Sequence, residues 1–263
     1  MRFLQGSTPT LPSRTRTTTR TRAEVLAFGD RADALVAAPS GDALPAPRRS
    51  STPWSYPPEM NSPWTTSCRA FADAAEWFVA TAALADGRWT EPGLGEWDVR
   101  SLVGHTSRAL LTAETYLAHP ADVVEVGSTA DYYRATRAAA AGPDVAARGK
   151  AAGEALGTDP AAAVAEIAAR VVPLVEACEG TEVVTTIAGG MRLADYLPTR
   201  TFELVVHTAD LAAALGLASE PPPVPAAQAL ELVAQLAVTD GRAAALLRAA
   251  TGREGLPPGF SVL

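Results

Sequence analysis

The segment Arg200-Thr201-Phe202-Glu203-Leu204-Val205-Val206-His207-Thr208-Ala209-Asp210 decides how this chain folds. On a helix at about 100° per residue, Arg200, Glu203, His207 and Asp210 fall in one stripe roughly 80° wide. Leu204 and Leu211 flank that stripe on one side and Phe202 and Val206 on the other, with Val205 and Ala212 opposite. An ionisable stripe bracketed by apolar residues is not how a solvent-facing surface is built. The helix is therefore expected to be largely buried, with its charged groups facing something specific. Other helices have to cover it.

The segments around it supply those helices. Cys68, Phe71, Ala72, Ala75, Phe78, Val79 and Ala82 recur at three- and four-residue intervals and predict a first helix over about 65–86, stopped by Gly87. Asp98 reads as the N-cap of a second helix with an apolar stripe at Val99, Leu102, Val103, Leu110, Ala113 and Leu117, ended by His119-Pro120. Asp159-Pro160 starts a third that runs to about Cys178. Val183 to Leu193, with Gly189-Gly190 inside it, reads as a short hairpin or extended connection. The fourth long helix covers Leu193 or Pro198 to Leu215, and a fifth about Pro225 to Ala250. Between 120 and 158 the pattern is weaker, with one helical stretch at Asp131 to Ala141 before Gly142-Pro143. The expected fold is all-α: an antiparallel four-helix bundle with an additional C-terminal helix and a short extended hairpin connection.

Composition narrows what such a bundle does. Residues 1–59 carry eight arginines and five acids, whereas the rest carries 14 basic and 24 acidic residues. An acidic body argues against a nucleic-acid partner. No uncharged apolar run approaches the roughly 18–20 residues that span a bilayer, and the N-terminus lacks the apolar stretch of a secretory signal. Cys68 and Cys178 match no metal-binding spacing and are expected to be small buried core residues, as suits a reducing cytoplasm. The low-complexity Arg14–Arg22 run and the Pro/Ser/Ala-rich Pro39–Pro58 stretch make 1–59 a disordered or mis-assigned N-terminal extension, with Met60 as an alternative start and a short helix conceivable at Glu24–Ala38. Residues 60–263 are then one metal-binding helical bundle domain, monomeric or homodimeric.

The chain has three histidines. Glu203 and His207, four apart, stack on one helix face, and a carboxylate and imidazole so placed make two ligands for a divalent cation. The bland alternative is a buried ion pair of Arg200 with Glu203 or Asp210, with His207 a satisfied core histidine. His105 lies about 120° from the centre of its helix's apolar stripe, beside Ser101, Ala109 and Thr112, so it faces either solvent or a cavity. His119, before a proline, reads as a helix C-terminal interaction.

Trp97-Asp98-Val99-Arg100-Ser101-Leu102-Val103-Gly104-His105 resembles the first signature of the mycothiol-dependent maleylpyruvate isomerase family, among the DinB-like metal-binding bundles. Arg200-x-x-Glu203-x-x-x-His207-x-x-Asp210-Leu211 resembles the second, in the same order, and the similarity covers most of 63–217. The resemblance implies His105, Glu203 and His207 as three ligands of a metal, most often zinc, with Arg200 and Asp210 supporting them from behind or packing the helix. It also implies mycothiol as thiol co-substrate, and with it S-transfer or isomerisation of a small electrophile in the cytoplasm. A non-catalytic metal-binding or sensor bundle and a metallohydrolase are the rival readings. Residues after 216, mostly one predicted helix, are fewer than the C-terminal domain of the founding enzyme, so maleylpyruvate isomerisation itself is not the expectation.

Overall fold

Helices begin where the sequence supplies a cap. A computed structural model describes residues 62–140 and 144–263, all within one compact unit, Trp54–Leu263. Helix α1 (Pro63–Ala83) starts with Ser62 accepting from the Thr65 amide, 3.1 Å. Helix α2 (Val99–Leu117) starts with Asp98 accepting from the Ser101 amide, 2.8 Å, and α5 (Pro160–Glu176) with Asp159 accepting from Ala162, 3.0 Å. Between them lie α3 (Thr129–Ala140) and α4 (Asp144–Ala155). Strands β1 (Val183–Thr186) and β2 (Gly189–Arg192) pair antiparallel, Val183 opposite Arg192, and lead straight into α6 (Leu193–Ala214). Helices α7 (Pro223–Thr239) and α8 (Ala243–Ala250) follow, giving eight helices and one two-stranded sheet among the described residues.

The four long helices α1, α2, α5 and α6 form a ring: α1 and α2 each pack against both α5 and α6. Phe71, Phe78, Leu102, Leu110, Val171, Leu197, Leu204 and Leu211 fill the space between them, with α7 laid across α1 and α6. A smaller apolar cluster, Val126, Tyr132, Val184, Met191, Leu193 and Tyr196, sits under the hairpin. The hairpin is stitched to the chain after α2 by Ala121 donating to the Val183 carbonyl (2.9 Å) and Thr185 to that of His119 (2.8 Å). That fixes the start of α6 relative to α2, the two helices whose facing sides carry the candidate ligands.

Two expectations need correction. The fifth helix over 225–250 is two helices, because Gly241 takes a φ of +68° and breaks the chain direction after Thr239. Helix α4, which the sequence reading does not assign, packs more extensively on α2 than any other element. Its residues are small and polar, so it has no apolar stripe to read. It binds by close approach instead: a Cβ on Gly104 would fall 2.1 Å from the Gly153 nitrogen, so the two backbones touch there. Arg100 donates through Nε to the Gly153 carbonyl, 2.9 Å, and Trp97 Nε1 to that of Ala146, 3.0 Å. The expected 1–59 extension lies outside the described residues.

Candidate metal centre

Helix α2 brings in His105 and helix α6 brings in Glu203 and His207. One donor atom from each lies within 4.8 Å of the other two. The two imidazoles meet edge to face with ring centres 4.7 Å apart, and His207 Nε2 is 3.3 Å from Glu203 Oε2. Donors about 2.1 Å from a tetrahedral cation stand roughly 3.4 Å apart, so the Glu203–His207 edge already has that span. The Nδ1 of His105 is buried and has no hydrogen-bond partner among the described residues.

Neighbouring groups hold these side chains in place. Asp210 Oδ2 is 3.1 Å from His207 Nδ1, so the carboxylate orients the ring from behind while Nε2 faces Glu203. Tyr133 on α3 donates to Glu203 Oε1 at 2.8 Å, with the Thr199 carbonyl 3.2 Å away. The Trp97 ring packs on His105 at 4.4 Å between centres, and α4 closes over both: a Cβ on Gly149 would lie 2.5 Å from the Trp97 indole.

Electrostatics separates the two histidines. Burial, then the charge of His207, pushes His105 down to about 4, with Arg108 and Arg148 adding to the effect, so its ring is neutral at pH 7. Burial opposes charging His207 as well, but hydrogen bonds to Asp210 and Glu203 outweigh it and raise the ring to about 9. Glu203 is likewise penalised by burial and still held low, at about 2, by the His207 hydrogen bond and the Arg200 charge. Burial, then the Glu203 charge, raises the Tyr133 hydroxyl well above its usual range, so it keeps the proton it donates. The positive charge of the cluster lies on His207, between the Glu203 and Asp210 carboxylates.

The chain's residues 68–212 match the family described as the mycothiol maleylpyruvate isomerase N-terminal domain, more than half of its 263 residues. The chain belongs to that family. No curated protein and no solved structure matches it. The matched span of this family member runs from α1 to the end of α6 and contains His105, Glu203, His207 and Asp210.

Arg200 is placed differently from the ion pair considered for it. Among the described residues it makes no salt bridge to Glu203 or Asp210. Its guanidinium lies over the Tyr196 ring at 5.0 Å and the Tyr132 ring at 5.7 Å, donating to Thr199 Oγ1 at 2.9 Å and to Thr112 Oγ1 at 3.5 Å. Its charge still acts on Glu203. His119 Nδ1 is 2.6 Å from the Thr115 carbonyl at the end of α2. The cysteines are free, and burial pushes the Cys68 thiol up to about 11, so neither is poised as a nucleophile at neutral pH. Sequence reading missed Tyr133, which lies in the stretch with the weakest periodicity, and left Trp97 without a role although it opens the first motif.

Proposed function

We propose that this protein is a DinB-like bundle that holds a divalent cation, zinc in the first instance, through His105, Glu203 and His207. On this reading it uses a low-molecular-weight thiol of the mycothiol type to act on a small electrophile. The observation that supports this most directly is the convergence of three donors from two facing helices, each within 4.8 Å of the others. Two imidazoles and one carboxylate leave a fourth position open, the pattern of catalytic rather than structural sites. When bound, the cation supplies a positive charge that favours the thiolate of an incoming thiol, whose free pKa is about 8.5. Asp210 keeps the His207 ring turned toward the site, Tyr133 holds Glu203 by one oxygen, and Trp97 with α4 keeps water from the back of His105. The thiol gives up its proton to solvent and its sulfur forms a bond to the electrophilic carbon. In S-transfer a leaving group departs with the bonding pair; in isomerisation the sulfur is expelled again after the carbon skeleton has turned.

Metal analysis of the purified protein against His207→Ala tests the site, and the wild type should carry about one equivalent and the variant far less. Equal metal in both would end this reading. Consumption of a chromogenic electrophile, measured with mycothiol and with water alone, then separates the thiol enzyme from a hydrolase or a non-catalytic binder. The expected result is turnover only with the thiol.

A further inference from the structure

Beside the metal centre, α2 and α4 leave a cleft of about 360 Å³ between them, within the size range of small-ligand sites. Arg108, Thr112 and Thr115 line it from α2 and Arg148 from α4, with a leucine and two alanines between. No acidic residue lines it, in a body that carries 24 acids against 14 bases. Six arginines elsewhere on the described surface, Arg69, Arg88, Arg134, Arg137, Arg170 and Arg248, each pair with a carboxylate, whereas Arg192, Arg242 and Arg253 do not. The guanidinium groups of Arg108 and Arg148 make neither an ion pair nor a hydrogen bond among the described residues. The cleft also touches the site behind it, since Thr112 receives the Arg200 guanidinium at 3.5 Å. Tyr196, whose ring lies under that guanidinium, has a fully buried hydroxyl that interacts with the Thr112 side chain. Arg108 and Arg148 are also near enough to His105 for their charges to act on its ring, behind burial and the charge of His207.

We propose that this cleft binds the oxyanion end, a carboxylate or phosphate, of the small molecule that reacts at the metal centre. Two guanidinium groups suit such an anion because each offers planar paired donors, whereas the Thr112 and Thr115 hydroxyls already donate to the Arg108 and Leu111 carbonyls. The substrate class is then a small acidic electrophile, anchored by its charge in the α2/α4 cleft with its reactive carbon toward His105. Its place in catalysis rests on the metal reading above, whereas the anion site itself is measurable without metal.

The test titrates succinate, inorganic phosphate and the neutral analogue succinamide into wild type and into the Arg108→Gln/Arg148→Gln double variant, by heat of binding and by amide NMR shifts. It is run on metal-loaded and on metal-free protein. Saturable binding of succinate or phosphate, at least tenfold weaker in the double variant and weakened by added salt, is the expected result, and whichever of the two binds tighter names the group. Arg148→Gln alone, at an exposed position, carries the test should the double variant fail to fold. The proposal is overturned by any of three results: no saturable anion binding in wild type, succinamide binding as well as succinate, or anion binding lost in His207→Ala while the arginine variants retain it. Arginine-dependent anion binding in a protein that takes no metal would support the cleft and reject the metal centre, so the two readings fail separately.

Discussion

At the scale of single residues, the site depends on groups that touch no cation themselves. Tyr133 donates to Glu203 Oε1 at 2.8 Å, which leaves Oε2 as the atom facing His207. Tyr133→Phe keeps the ring packed on Phe202, 5.4 Å between centres, and removes only that bond. Metal affinity should fall by about 10- to 100-fold with the fold unchanged, measured by competition with a chromophoric chelator; unchanged affinity would mean that Glu203 is held by the helix alone. Legibility followed locality here. Glu203, His207 and Asp210 share about two turns of helix, so spacing alone put them on one face. Their union with His105 came only through the resemblance of two motifs, because nothing in either segment encodes the packing of α2 on α6. Arg200 shows the same limit in reverse: spacing offered it Glu203 or Asp210, and it turned instead to tyrosines from α3 and α6.

At the scale of elements, the helices legible in the sequence are those that bury a stripe, and the one that was not legible buries its backbone. Helix α4 meets α2 at Gly104 and Gly153, where side chains are absent, so no hydrophobic period announces it. Gly104→Ala would place a Cβ 2.1 Å from the Gly153 nitrogen, and backbone cannot yield as a flexible side chain does. The gain in helix propensity, about 1 kcal/mol, is smaller than the expected overpacking cost of about 1–3 kcal/mol or more, so the variant should be less stable by denaturant unfolding. Moving α4 off α2 should also loosen Trp97 and His105 and reduce metal uptake. Gly127→Ala, with open space around its Cβ, serves as the near-neutral control. A stable Gly104→Ala protein with full metal content would show that α4 is dispensable to the site. The hairpin contrasts with α4. Its Gly189-Gly190 and flanking β-branched residues were readable, and it positions α6 by tying the strand before it to the segment after α2.

At the scale of the whole molecule, the proposed site would draw its ligands from α2 and α6, which lie about a hundred residues apart in sequence and come together only in the folded ring. A cation held across them therefore binds the native state and not the unfolded chain, and its binding energy adds to folding stability by mass action. At free metal near a hundred times the dissociation constant the gain is about 2.7 kcal/mol. For a domain of this size each kcal/mol raises the melting temperature by about 2–4 °C, so loading should raise it by roughly 5–10 °C. Chelator should reverse the shift, and His207→Ala should melt at one temperature with or without metal. In the metal-free wild type the same place holds a charged His207 between Glu203 and Asp210, so the bundle should stay folded when stripped rather than collapse as a zinc finger does. An absent shift in wild type, or an equal one in His207→Ala, would place the bound metal elsewhere on the protein. The size of the shift thus reports directly whether α2 and α6 are joined through His105, Glu203 and His207.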